Sequence, residues 1–217
     1  MRKTKHLALW SIGLFAFVVV ASCGKKQDAK IDLGTIEGSI YKNKYFGFSL
    51  KIPEKWQVQD NETKKMIMER GKKLAAGNEG SLKELIDASE LHTVNLLTMF
   101  QHPLGTPVDY NPAFVIVAER ISHLPGITSG RDYFFHAKQL MERAQIKYTF
   151  AKDTYSESIS RLSFHVMEVE MKTASLLVKQ KYYVTIMKGY ALLFITSYTT
   201  DEEWKRQDEV IKSIKFS

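Results

Sequence analysis

The chain has 217 residues, 44% of them hydrophobic and 25% charged, with 31 basic against 24 acidic side chains for a net charge of +7. Its single cysteine, Cys23, excludes an internal disulfide, so stability must come from burial, which a chain of this length supplies by hiding roughly 70% of its unfolded surface. Three of the basic residues lie within the first five positions, and the 195 residues after position 22 carry 28 basic and 24 acidic groups, a net +4. That mild excess does not make the concentrated basic face that nucleic-acid binding needs.

The chain opens with Arg2, Lys3 and Lys5, continues as an uncharged apolar run from Leu7 to Ala21, and reaches small Ala21 and Ser22 directly before Cys23. This is the order of an export signal: charged start, apolar middle, small residues at a cleavage point. An uncleaved helix from Leu7 to Gly24 is the alternative, since at about 1.5 Å per residue it could just span a bilayer. Val20-Ala21-Ser22-Cys23 resembles the lipobox of bacterial lipoproteins. The resemblance implies cleavage before Cys23, a diacylglyceryl group on its thiol and often an acyl chain on its new amine. Two or three chains hold a protein at a membrane permanently, where one holds only marginally. Gly24 and Lys25 include no aspartate of the kind that retains lipoproteins at an inner membrane. Outer-membrane sorting is therefore the expectation where an outer membrane exists, with the body on the periplasmic or extracellular side.

Residues 24–38 are polar and punctuated by glycine, which predicts a short spacer, so the organisation expected is 1–22 signal peptide, 23–39 lipidated cysteine and tether, and 40–217 folded domain. Phe48, Leu50 and Ile52 alternate with Ser49 and Lys51 as a half-buried strand ended by Pro53. Trp56 and Val58 predict a second short strand. Asn61 to Leu74 then reads as a helix with Ile67 and Leu74 on one side and Lys65 and Lys72 on the other. Ser81-Leu82-Lys83-Glu84 is a capping-box pattern for a second helix, with Leu82, Leu85 and Ile86 inward. Thr93–Phe100 and Ala113–Ile121 are β-rich runs separated by a loop, His102–Pro112, with three prolines. Ser129 to Asp132 caps a third helix carrying Phe134, Ala137, Leu140, Met141 and Ala144 at helical spacing. Residues 147–151 predict a short strand. Three antiparallel strands follow at 162–172, 176–187 and 190–199, the last two joined by a tight turn at Lys188-Gly189. Thr200-Asp201-Glu202-Glu203 caps a closing helix with Trp204, Ile211 and Ile214 inward. The expected class is α+β, an antiparallel sheet with helices packed on its faces.

Two motifs at opposite ends, Tyr41-x-Asn43 with Gly47-Phe48-Ser49-Leu50-x-Ile52-Pro53-x-x-Trp56, and Gly189-Tyr190-Ala191-Leu192 through Phe194 and Tyr198 to Trp204 with Ile211-x-Ser213-Ile214-x-Phe216, resemble the PsbP-like (PsbP/DcrB) superfamily. The resemblance covers Ile40 to Ser217. It implies an antiparallel sheet sandwiched between helix layers and a role as a binding or assembly module. Residues 62–90 depart from the family, and none of its metal-binding residues carries over.

No HExxH, CxxC, calcium loop, Gly-x-Ser-x-Gly elbow or dinucleotide fingerprint occurs, and Arg70-Gly71-Lys72-Lys73 lacks the spaced glycines of a phosphate loop. The histidines, His6, His92, His102, His123, His136 and His165, form no helical pair. His165 shares strand parity with Met167, Val169 and Met171, as a core-edge residue would. Glu168 and Glu170 share the opposite face about 7 Å apart, a spacing open to a carboxylate pair or to a solvated sheet face. Met66, Met68, Met99, Met141, Met167, Met171 and Met187 fall on separate elements, as core-filling residues do. The basic and aromatic interleave Lys179-Gln180-Lys181-Tyr182-Tyr183 follows strand alternation.

The expected function is a non-catalytic, membrane-anchored envelope lipoprotein that binds another envelope component, with no cofactor or metal and no nucleic-acid partner. A small-ligand-binding lipoprotein or an envelope hydrolase, built around a deep pocket gathering polar groups such as His136, His165 or Glu168, is the alternative. The candidate sites are Cys23 for lipidation, Lys64, Lys65, Lys72 and Lys73 for contact with anionic headgroups, and Tyr110 in the proline-bearing loop for contact with a protein partner.

Overall fold

The computed structural model describes residues 9–10, 31–77, 80–172 and 175–217. Cys23 and all of the leader except a two-residue strand β1 (Leu9–Trp10) lie outside them. Three short strands open the body: β2 (Thr35–Glu37), β3 (Ile40–Asn43) and β4 (Phe48–Lys51). β5 (Gln57–Val58), α1 (Asn61–Ala76), α2 (Gly80–Glu90), β6 (Thr93–Phe100), β7 (Tyr110–Asn111) and β8 (Ala113–Arg120) follow. After α3 (Gly130–Arg143) come β9 (Tyr148–Phe150), β10 (Tyr155–Ile159), β11 (Leu162–Lys172), β12 (Leu177–Met187) and β13 (Tyr190–Tyr198). α4 (Asp201–Ser213) and β14 (Lys215–Phe216) close the chain.

The large sheet runs β10-β11-β12-β13-β8-β6-β5, every neighbour antiparallel, with β9 also paired to β11. β9 and β10 divide one edge between them, leaving two short strands instead of one long template for pairing with another chain. The second sheet, β14-β4-β3-β2, joins the C-terminal strand to the start of the domain. β1 pairs in parallel with β7.

All nine residues of β13 are buried, because both faces of the large sheet are covered. On one face Leu193, Ile195, Met167 and Val169 pack against Leu82 and Ile86 of α2 and Phe134, Ala137 and Met141 of α3. On the other, Phe164, Ile116, Leu192 and Phe194 pack against Tyr41, Phe48 and Leu50 of the small sheet and Val210 and Ile211 of α4. The fold is α+β, as expected, but only one layer is wholly helical; the opposite layer is the small sheet with α4 beside it.

The local chemistry matches the elements it starts. Ser129 and Asp132 form a reciprocal capping box on α3, and Thr200 and Glu203 another on α4, each satisfying backbone N–H groups that a helix start leaves without partners. At the β12–β13 turn Lys188 and Gly189 adopt φ 52° and 78°, the handedness that matches the twist of the strands.

The boundary expected at residue 40 moves earlier. β2 pairs with β3, the Tyr41 hydroxyl donates to the Leu33 carbonyl at 2.8 Å, and the Asn43 amide donates to the Asp32 carbonyl at 2.8 Å. Residues 31–39 therefore belong to the folded body.

Candidate interaction surface

The four lysines expected to make one basic helix face do not do so. The inner face of α1 is Lys64, Ile67, Gly71, Lys72 and Ala75, and Lys64 and Lys72 retain only 8% and 9% exposure. A register shift in β6 between Asn95 and Leu97 accompanies the Asn95 carbonyl that accepts from Lys64 Nζ at 3.3 Å. Burial lowers the Lys64 pKa, with Asp60 opposing. Lys72 Nζ lies 3.1 Å from Glu69 and 2.7 Å from Asp87 of α2, so it pins two helices together. Their aliphatic stems fill the interface while the amino groups reach oxygen. Lys65 and Lys73 remain exposed, and so does Leu74, at 54%.

Tyr110 is also not a loop contact. It is 6% exposed in β7, packs with Met171 and Val178, and its hydroxyl hydrogen-bonds the Ser197 hydroxyl. That bond belongs to a buried network in which Gln180 donates to Ser197 Oγ, Tyr182 donates to Gln180, and the Gln207 amide pairs with the Ser197 backbone N–H and C=O at 3.1 and 2.8 Å.

His165 and Glu168 occupy opposite faces of β11, so no single pocket gathers them. His165 lies under the start of α3, where a Cβ added to Gly130 would come within 2.8 Å of its own Cβ. Glu168 faces the α4 side and accepts from Tyr155, from Lys181 at 3.1 Å and from Lys152 at 3.3 Å. Burial pushes its carboxyl up, but those donors together hold it below the ordinary value. Lys181 lies 4.2 Å from the Trp204 ring, which in turn lies against Tyr198. Among the described residues no group of three or more His, Cys, Asp or Glu side chains stands in a metal-binding arrangement.

Two features were not singled out from the sequence. Glu119 on β8 is 1% exposed, accepts the Tyr133 hydroxyl at 2.7 Å, and is pushed by burial up to about 8, with Tyr133 opposing. Its parity with Val115 and Val117 in an apolar strand was the available signal. Far apart in sequence, the His92 and His123 rings stand 4.4 Å apart. Burial, then the charges of His92 and Arg120, lower the His123 pKa, and its Nδ1 is buried without a hydrogen bond.

A further open, polar feature is the corner where the chain enters the body. A groove of about 410 Å³, open to solvent, is lined by Lys42, Asn43, Lys44, Ser49, Lys215 and Ser217 together with Gly47, Phe48 and Phe216. Register explains it: Thr35 pairs with Lys42, Lys42 with Ser49 and Ser49 with Lys215, so the four side chains form one row across the small sheet. Phe48 and Leu50 on the alternate positions point into the core, which turns this row to solvent. Asp32 is fastened at the same corner, its carbonyl to Asn43 and its carboxylate to the Lys44 N–H at 3.2 Å.

No family model matches the chain, and no curated protein matches it. Solved structures similar to it include the solution structure of cyanobacterial PsbP from Synechocystis sp. PCC 6803, 13% identical over 91% of this chain and 99% of that one, with a TM-score of 0.49. Another is LpqN of Mycobacterium tuberculosis, described as involved in cell envelope biogenesis, 11% identical over 78% of this chain and 83% of that one, with a TM-score of 0.43. A Bacteroides thetaiotaomicron crystal structure is 11% identical with a TM-score of 0.42; the match covers 79% of this chain and 45% of that one. A PsbP is thus among the similar structures, as the two terminal motifs led us to expect. These are distant likenesses, and the α+β class rests on the strand order itself.

Proposed function

We propose that the protein is a lipid-anchored envelope module that works by binding another envelope component, without catalysis. The observation that carries this reading is the tetrad Val20-Ala21-Ser22-Cys23 behind an uncharged apolar run, standing only eight residues before the folded body at Ile31. Among the described residues no helix is long and apolar enough to cross a membrane. In this reading attachment comes from lipid on Cys23. A binding role is supported by the separation of His165 and Glu168, two of the polar groups that a catalytic cleft could have gathered, onto opposite faces of the sheet. With Tyr110 buried, the exposed aromatic side chain among the described residues that could meet a partner is Phe135 on α3, 63% exposed.

Labelling of cells expressing the wild type and Cys23→Ser with a radioactive fatty acid tests the anchor. The wild type is expected to take up the label and run as the shorter, processed form, and the variant to stay unlabelled with its leader attached; equal labelling of both would overturn the reading. Crosslinking in living cells from a photoreactive group at Phe135 then tests the partner. A discrete adduct of constant mass is expected, and none at all would remove α3 as the contact.

A further inference from the structure

We infer that the outer face of the small sheet is a membrane-docking surface that lies against anionic phospholipid headgroups and so fixes the orientation of the body. The inference rests on the lipid-anchor reading and adds the face. Seven residues separate Cys23 from Ile31, so even fully extended, at about 3.5 Å per residue, they place Ile31 within about 28 Å of the lipidated cysteine. Ile31 packs onto the small-sheet core and Asp32 is bonded to Asn43 and Lys44, so the tether ends at the lysine-lined corner and not elsewhere on the body.

The charge at that corner is complementary to phosphate. Lys42 and Lys215 stand two strands apart, about 10 Å, with Ser49 between them. Lys44 at the β3–β4 turn and Lys51 on the same sheet face add two more exposed cations. The opposing carboxylates are Glu37, which lies 2.6 Å from Lys42, and Asp32, which accepts the Gly34 and Lys44 N–H groups. Each lysine near an anionic surface strengthens contact by about fivefold. Docking through this face leaves the helical layer with Phe135 turned away from the membrane, where a partner can reach it.

The test uses the full lipidated protein reconstituted into vesicles of phosphatidylglycerol and phosphatidylcholine, or of phosphatidylcholine alone. A fluorophore is placed at Thr35→Cys, in the lysine row, or at Glu142→Cys, exposed on α3 across the large sheet, and is read by a headgroup-attached quencher. Flotation with the vesicles reports the anchor; quenching reports the face. The expected result is flotation of all forms, with the Thr35 label quenched severalfold more than the Glu142 label on anionic vesicles and that difference reduced in 1 M salt. Changing Lys42, Lys44 and Lys215 together to Gln should weaken the contact by about a hundredfold and bring the two labels to similar quenching, while the same change at exposed Lys65 and Lys73 leaves the difference intact. Flotation with equal quenching of both labels, or an equal preference on phosphatidylcholine alone, overturns the docking face and leaves the anchor standing. Failure to float overturns both.

Discussion

Replacing Glu119 by Gln should change how stability depends on pH in a way that reports a single buried carboxyl. Glu119 is 1% exposed, and its contact with the Tyr133 hydroxyl does not offset burial, so it titrates near 8 in the folded protein against an ordinary 4.5. Below 4.5 both folded and unfolded chains hold the proton, and it contributes nothing. Between 4.5 and about 8 the unfolded chain releases it and the folded chain does not, so stability falls as pH rises. At about 1.4 kcal/mol per pH unit the full loss is on the order of 4 to 5 kcal/mol, complete above pH 8. Gln keeps an acceptor for Tyr133 and carries no charge. Urea unfolding of both proteins from pH 5 to 8.5 should show them within about 1 kcal/mol of each other at pH 5 and the variant more stable by several kcal/mol at pH 8.5. The other titratable groups are common to both proteins, so the difference isolates Glu119. Parallel pH profiles would show that Glu119 does not hold a proton in the folded state, and the reasoning would fail.

Gln207→Ala removes both partners of a buried Ser197 peptide group and should cost about 2 to 4 kcal/mol in urea unfolding; a loss under about 0.5 kcal/mol would mean water replaces the amide. Gly130→Ala places a methyl within 2.7 Å of Val184 Cγ1 and 2.9 Å of the Val184 carbonyl, so it should lower stability by about 1 to 3 kcal/mol despite the better helix propensity of alanine, and a raised melting temperature would contradict that packing. Arg161→Gly relieves a side chain held at φ 74° in the β10–β11 turn and should raise stability by about 1 kcal/mol, whereas any loss would mean the arginine side chain makes a compensating contact.

The sequence was most readable where local chemistry and pattern agreed. The capping boxes at Ser129 and Thr200, the Lys188-Gly189 turn and the alternation from Leu162 to Lys172 each specify their element within a few residues. β10 escaped because its turn is Ser160-Arg161, two residues that seldom adopt φ 47° and 74°; what anchors that turn is distant, the Phe216 N–H donating to Ser160 Oγ at 3.0 Å. β2 escaped for a similar reason: all three residues are exposed, and their order comes from pairing with β3 and from Asp32 and Leu33 bonding to Asn43 and Tyr41. α1 was placed correctly but rotated in expectation. Ile67 and Leu74 define a face only if lysine is kept out of the core, and Lys72 enters because Glu69 and Asp87 meet its amino group. The docking corner was not visible at all, because Lys215 and Lys42 are far apart in sequence and become neighbours only through β4.

Intact mass of the protein extracted from membranes tests the central claim most directly. The account predicts a chain beginning at Cys23, lacking Met1 to Ser22 and carrying the added mass of a diacylglyceryl group, with or without a further acyl chain. A chain that retains Met1 to Ser22 with an unmodified Cys23 would contradict it.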